Sequence, residues 1–155
     1  MTITPQYTLD ATDWKLLEAL QANARESFTL LGKRVGLSRP AVAERIRRLE
    51  DAGVITGYRV ALDPVKLGLP ITAFIRMHTN QHDAAENLTT LLTSLPEVQE
   101  CYRGTGGDCF TIKVIVPSIA HLDLVLQRIQ TYGEPTTSVM LAPVLTNRSL
   151  YNPED

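Results

Sequence analysis

Arg39, Glu44 and Arg47 are polar side chains on one short segment, spaced so that a helix would present them away from its apolar side. An arginine fork matches O6 and N7 of guanine, and a glutamate can accept from the N4 amine of cytosine. Ser38, Pro40 and Ala43 share that front. Lys33, Arg34 and Arg48 are placed to clamp phosphates, which orients a protein on a duplex without reading its sequence. Arg45 points to the core side and is expected to pair with an acid. A second polar cluster is Thr105-Gly106-Gly107-Asp108. There the two glycines could turn backbone N–H groups toward a carboxylate, Asp108 could hold an ammonium group, and Thr105 adds a hydroxyl. Thr136 and Ser138 could extend that lining, with the Tyr102 ring beside it. The same four residues also describe an ordinary hairpin with Asp108 as a solvated cap. Beyond these, chemistry is sparse. His78, His82 and His121 are scattered, no Gly-x-Ser-x-Gly elbow or phosphate loop occurs, and Cys101 and Cys109 match no common zinc spacing. No catalytic residue, no bound metal and no cofactor are expected.

The elements that must hold the first cluster are legible. Leu30, Leu31 and Val35 make an apolar stripe, and Gly36-Leu37-Ser38 breaks it. Ser38 is suited to cap the next helix, and Pro40 falls in its first turn, where a missing N–H costs nothing. Val42, Ile46 and Leu49 then line a buried face at i, i+4 and i+7. Gly53 is the expected C′ glycine. Upstream, Asp10-Ala-Thr-Asp13 reads as a capping box opening a helix with Leu16, Leu17 and Leu20 on one face. Downstream, Val54 to Val60 reads as a strand with a Gly break, the start of a wing. The pattern predicts a winged helix-turn-helix over residues 1–62, and so binding to double-stranded DNA.

Charge supports that placement. The chain carries a net −2, yet residues 31–60 hold seven basic side chains against three acidic ones, +4 locally and −6 elsewhere. A basic module beside an acidic one fits a protein in which one domain touches phosphate. The competing reading is a solvated helix with ion pairs such as Arg47–Glu50 and Arg47–Asp51.

After a linker at 63–70, residues 71–155 change character. Strand formers at Ile71–His78, a helix from His82 to Leu95, and strands at Val98–Arg103 and Cys109–Val116 are expected. Then come a helix capped by Ser118 and a last strand or pair of strands between Thr136 and Leu150. The order is βαβ twice over, the pattern of a ferredoxin-like α+β sandwich. Phe110, Ile112 and Val114 alternate on one strand, and two helices cover only one face of a sheet. The other face is therefore expected to be apolar and open, which calls for a second copy of the chain. No apolar run approaches a membrane span and no signal peptide opens the chain, so a cytoplasmic location with reduced cysteines is expected.

In order, Leu9-Asp10-x-x-Asp13, Gly36-Leu37-Ser38-x-x-Ala41-Val42-x-x-Arg45, Arg48-Leu49-Glu50-x-x-Gly53-Val54-Ile55-x-Gly57-Tyr58, Asp63-Pro64-x-x-Leu67-Gly68 and Thr105-Gly106-x-Asp108 run through the chain. This series resembles the Lrp/AsnC, or feast/famine, transcription regulators from Leu9 to Leu150. The resemblance implies a DNA-binding transcriptional regulator with a C-terminal sensing domain. It implies a homodimer that assembles further, often to an octamer, and a small-molecule effector, typically an amino acid, held near the Thr105–Asp108 hairpin between neighbouring dimers. Trp14 departs from the pattern, as a core-edge residue or one facing a partner chain. Two rivals stand beside this reading. One is a nucleoid-associated packaging protein with little sequence preference, the other a metabolite-binding module acting through protein partners.

Overall fold

The structure, a computed structural model, describes residues 7–79, 82–105 and 110–153, and of His82 and Asp83 the backbone alone. The chain forms two compact units. One contains the described residues up to Val60 together with those from Leu145 onward, and the other is Ala61–Val144.

The first unit holds helices α1 (Ala11–Ala22), α2 (Phe28–Val35) and α3 (Arg39–Asp51). The capping box opens α1 as expected. The Asp10 carboxylate accepts from the backbone of Thr12 and Asp13, and the Asp13 carboxylate accepts from the Asp10 N–H at 3.2 Å. Ser27 caps α2, a start two residues earlier than the stripe at Leu30 indicates. Gly36 ends that helix in the left-handed region, at φ 71°. Ser38 caps α3, accepting from Ala41 N–H, with Pro40 in the first turn. At its far end Gly53 N–H bonds to Glu50 and Val54 N–H to Leu49, the paired bonds of a Schellman stop.

Leu16, Ala19, Leu20, Leu31, Val42 and Ile46 form the core of this unit, with Val35, Leu37 and Ile55 at its margin. Leu30 is an exception to the expected stripe and is 49% exposed. Gly32 is buried instead. A Cβ there would lie 2.4 Å from the carbonyl oxygen of Leu37, so the turn between α2 and α3 closes directly onto the glycine. The expected wing strand does not form: no strand is present between Val54 and Val60. Val54 and Ile55 spend their N–H groups on the end of α3, and the residues after them pair with no strand among the described residues. The tail returns to this unit through Gln21, whose side-chain amide accepts from Leu150 N–H at 2.7 Å and donates to Leu150 C=O at 3.2 Å.

The second unit runs β1 (Ile71–His78), α4 (His82–Ser94), β2 (Val98–Arg103), β3 (Phe110–Val116), α5 (Ile119–Ile129) and β4 (Glu134–Val139). Its antiparallel sheet has the order β2-β3-β1-β4, the ferredoxin-like arrangement. Only one strand forms near the C-terminus, and 140–153 is irregular. Ser118 caps α5 as expected, accepting from His121 N–H.

Alternation decides the layers. Ala73, Ile75 and Met77 of β1 and Phe110, Ile112, Val114 and Val116 of β3 are buried with Leu88, Leu92, Leu122, Val125 and Ile129 of the helices. This corrects the expectation drawn from Phe110, Ile112 and Val114, which lie in the covered core. The open face carries Thr72, Phe74, Arg76, Lys113, Thr111 and Ile115 in its two central strands, a mixed surface in place of an apolar one. Gly133 turns the chain into β4 so closely that a Cβ would meet His78 O at 2.1 Å.

Candidate DNA-binding and effector sites

The front of α3 is built by its back. Burial of Val42, Ile46 and Leu49 fixes the rotation of the helix and leaves Ser38, Arg39, Pro40, Glu44, Arg47 and Arg48 exposed, with Ala43 half-buried. The Ser38 hydroxyl is committed to the cap. Arg39 has no ion pair or side-chain hydrogen bond among the described residues.

Arg47 is engaged. Its Nη2 donates to Glu44 at 2.8 and 3.0 Å, its Nε reaches the same carboxylate at 3.3 Å, and Asp51 lies 3.7 Å away on the other side. The Arg47 hydrogen bonds hold the Glu44 carboxyl below its ordinary range, and Glu44 in turn raises the guanidinium. Glu50, expected as a partner of Arg47, instead accepts from the Tyr58 hydroxyl at 2.8 Å. Burial first and that bond second push the Tyr58 phenol up to about 12.

Arg45 meets acids, as its orientation predicted. Its Nη1 lies 2.7 Å from both Asp10 Oδ2 and Asp13 Oδ1, tying α3 to the capping box of α1. The N–H of Asp13 and then Arg45 hold the Asp10 carboxyl below its usual value. Arg34 is held by Glu26 at 2.9 Å, a carboxylate with only 7% of its side chain exposed. Nothing in the sequence marks Glu26, which lies in an irregular loop. Lys33 is exposed and without an ion pair among the described residues, and Arg48 sets its guanidinium 5.8 Å from the Tyr7 ring centre. The local excess of positive charge is thus presented by Lys33, Arg39, Arg48 and Arg59, while Arg34, Arg45 and Arg47 are internally balanced.

In the second unit, Tyr102 on β2 is 61% exposed and donates its hydroxyl to Glu100 at 3.0 Å. Glu100 also accepts from Lys113 Nζ at 2.7 Å, and that bond is the main cause of its lowered carboxyl pKa. Glu100 in turn raises the Tyr102 phenol. Thr105 is exposed, and Gly106, Gly107 and Asp108 lie outside the described residues. Thr136 and Ser138 are exposed on β4.

Register sets these pieces apart. Tyr102 pairs with Thr111, Thr111 with Arg76, and Arg76 with Thr136, one row straight across the open face. Tyr102 and Thr136 occupy opposite edges of the sheet, three strand spacings or about 14 Å apart. Within one chain they do not meet. Cys101, on the same edge strand as Tyr102, is an exposed free thiol whose pKa burial raises. Sequence reasoning missed the link between Glu97 and His121, 2.7 Å apart, which joins the start of β2 to the first turn of α5.

No helix among the described residues is long and apolar enough to cross a membrane, and no cluster of metal-ligating side chains occurs among them. The model of the AsnC-type helix-turn-helix domain matches residues 9–50, and that of the Lrp/AsnC ligand binding domain matches residues 72–150. The chain is 40% identical over 134 residues to the uncharacterized HTH-type transcriptional regulator YezC of Bacillus subtilis, covering 86% of this chain and 94% of that one. It is 42% identical over 115 residues to the proline dehydrogenase transcriptional activator of Rhodobacter capsulatus, covering 73% and 75%. Among solved structures, a Neisseria meningitidis transcriptional regulator in complex with L-Met superposes with a TM-score of 0.87 at 30% identity, over 92% of this chain and 96% of that one. A capped helix-turn-helix with a basic front and a ferredoxin-like unit, each matched by its own family model, make this chain a member of the Lrp/AsnC family of DNA-binding transcriptional regulators.

Proposed function

We propose that this regulator reads a two-fold operator through α3 and adjusts its DNA affinity or assembly to an amino acid. The observation that carries the DNA half is Arg39. It stands without an ion pair among the described residues, in the first turn of a helix whose opposite face is locked in the core, where such helices meet base edges. In this reading Ser38, Arg39, Pro40, Ala43, Glu44 and Arg47 face the bases, and Lys33, Arg34 and Arg48 face phosphates. Arg34 must share its guanidinium with Glu26. Arg39→Ala should cost about 1–3 kcal/mol on a preferred site and relax preference there, whereas Lys33→Ala should weaken all sequences alike and lower the salt slope by about one. Selection from random duplexes followed by footprinting tests this reading. Half-sites about one helical turn (~34 Å) apart, or a multiple, are expected. Binding with no selectable sequence at fixed salt would mean a packaging protein. DNA binding untouched by neutralising Arg39 and Arg47 would leave only a module working through protein partners.

The effector half rests on the matched ligand-binding domain and on relatives whose solved complexes hold L-methionine. An amino acid would place its carboxylate against Gly106 and Gly107 and its ammonium group on Asp108. Thr105, Thr136, Ser138 and Tyr102 would complete the lining. Calorimetry against the twenty amino acids decides it, and binding unchanged in Asp108→Ala would remove the assignment. The chain acts as a homodimer, assembling toward an octamer, in the cytoplasm, and performs no catalysis of its own. Support for the dimer is the exposure of the apolar residues Tyr58, Val60 and Leu62, spaced like a strand yet paired with no strand among the described residues.

A further inference from the structure

Glu44 is an unexpected neighbour for a DNA-reading arginine. A carboxylate on the front of a recognition helix repels phosphate, and here it grips Arg47 through two nitrogens. Both side chains are more than half exposed, at 63% for Arg47 and 56% for Glu44, so neither supports the core. Glu44 alone balances the charge of Arg47, and Asp51, one turn on, adds a second, looser carboxylate at 3.7 Å. We infer that Glu44 and Arg47 form one specificity unit, closed in free protein and opened only by a G·C-containing step, where Arg47 donates to guanine while Glu44 accepts from a cytosine N4 amine.

Magnitudes make the unit workable. An exposed ion pair of this kind is worth at most about 1 kcal/mol, and a bidentate guanine contact about 1–3 kcal/mol of discrimination. A guanine with a cytosine amine beside it can therefore displace the clasp and satisfy both members. A bare phosphate can satisfy only Arg47 and must leave Glu44 facing negative charge. The clasp thus lowers affinity for DNA at large and preserves affinity for the matching step. Contacts from Lys33, Arg39 and Arg48, which form no ion pair among the described residues, supply the attraction that the clasp withholds.

The inference rests on α3 reading bases, and its test separates the two. The full-length chain is used to select its preferred duplex. Binding to that duplex and to a scrambled one is then measured at fixed salt for wild type, Glu44→Gln, Arg47→Ala and the double variant. Glu44→Gln keeps the shape and removes the charge. It should bind scrambled DNA several-fold more tightly and shrink the preferred-to-scrambled ratio by about 5- to 100-fold. In the Arg47→Ala background the same change should add little to the loss of preference, because Glu44 acts through Arg47. A wild-type motif with a G·C step whose ratio survives Glu44→Gln overturns the unit and leaves the regulator intact, and so does additive loss in the double variant. Failure of wild type to select any motif overturns base reading itself. Thermal unfolding is expected to change little in any variant, since the pair is exposed and Val42, Ile46 and Leu49 hold the helix.

Discussion

At the scale of single residues, the positive charges of the DNA-binding unit divide into those that bind and those that build. Arg45 builds. Asp13 keeps only 3% of its side chain exposed, and Arg45 is its charge partner at 2.7 Å. Arg45→Ala would leave that buried carboxylate with the Asp10 N–H but no charge partner, at a cost of about 1.5–3 kcal/mol in denaturant unfolding. Arg39 pairs with no acid among the described residues, so Arg39→Ala should leave unfolding unchanged while it weakens DNA binding. Glu97 supplies a pH prediction. The His121 bond is the first cause that holds its folded pKa below the ordinary 4.5. A depressed carboxylate contributes stability above its unfolded pKa and loses it as pH falls through the folded one. The stability gap between wild type and Glu97→Gln should therefore be present at neutral pH and close progressively below about pH 4.5, read as a shift in the unfolding midpoint. A gap that stays constant to pH 3 would sever Glu97 from the acid response.

At the scale of elements, glycines placed by close approach give the sharpest expectations. Alanine is a better helix former than glycine by about 1 kcal/mol. In α2, however, Gly32→Ala drives a methyl into the Leu37 carbonyl, which belongs to backbone and cannot swing away. The variant should lose about 1–3 kcal/mol and misplace α3, which unfolding and DNA binding measured together would reveal. Gly133→Ala should likewise unseat the start of β4 from β1. The helices and strands were legible because burial leaves a period. Val42, Ile46 and Leu49 spell out α3, and Ile112 and Val114 spell out β3. Which side of β3 would be covered was not legible, because alternation tells that two faces differ but not which one the helices take. The wing strand misled for a related reason: Tyr58, Val60 and Leu62 alternate like a strand, yet a strand exists only with a partner. Glu26 and Gln21 left no trace at all, since their partners Arg34 and Leu150 are brought to them by the fold.

At the scale of the whole molecule, apolar side chains stand in solvent along Tyr58, Val60, Leu62 and again at Leu141, Val144 and Leu145. Light scattering at micromolar concentration should give a dimer or larger species, and a stable monomer would contradict the proposed assembly. The row from Tyr102 to Thr136 carries a further consequence. An amino acid is far too short to touch both edges of one sheet, so a lining drawn from both edges needs two chains side by side. Ligand and association would then be thermodynamically linked. Effector saturating its site a hundredfold would stabilise the contact by about 2.7 kcal/mol, and diluting the protein would weaken the apparent effector affinity. Such a protein would report its own abundance together with that of the metabolite, so a titration repeated at two protein concentrations should return two different midpoints.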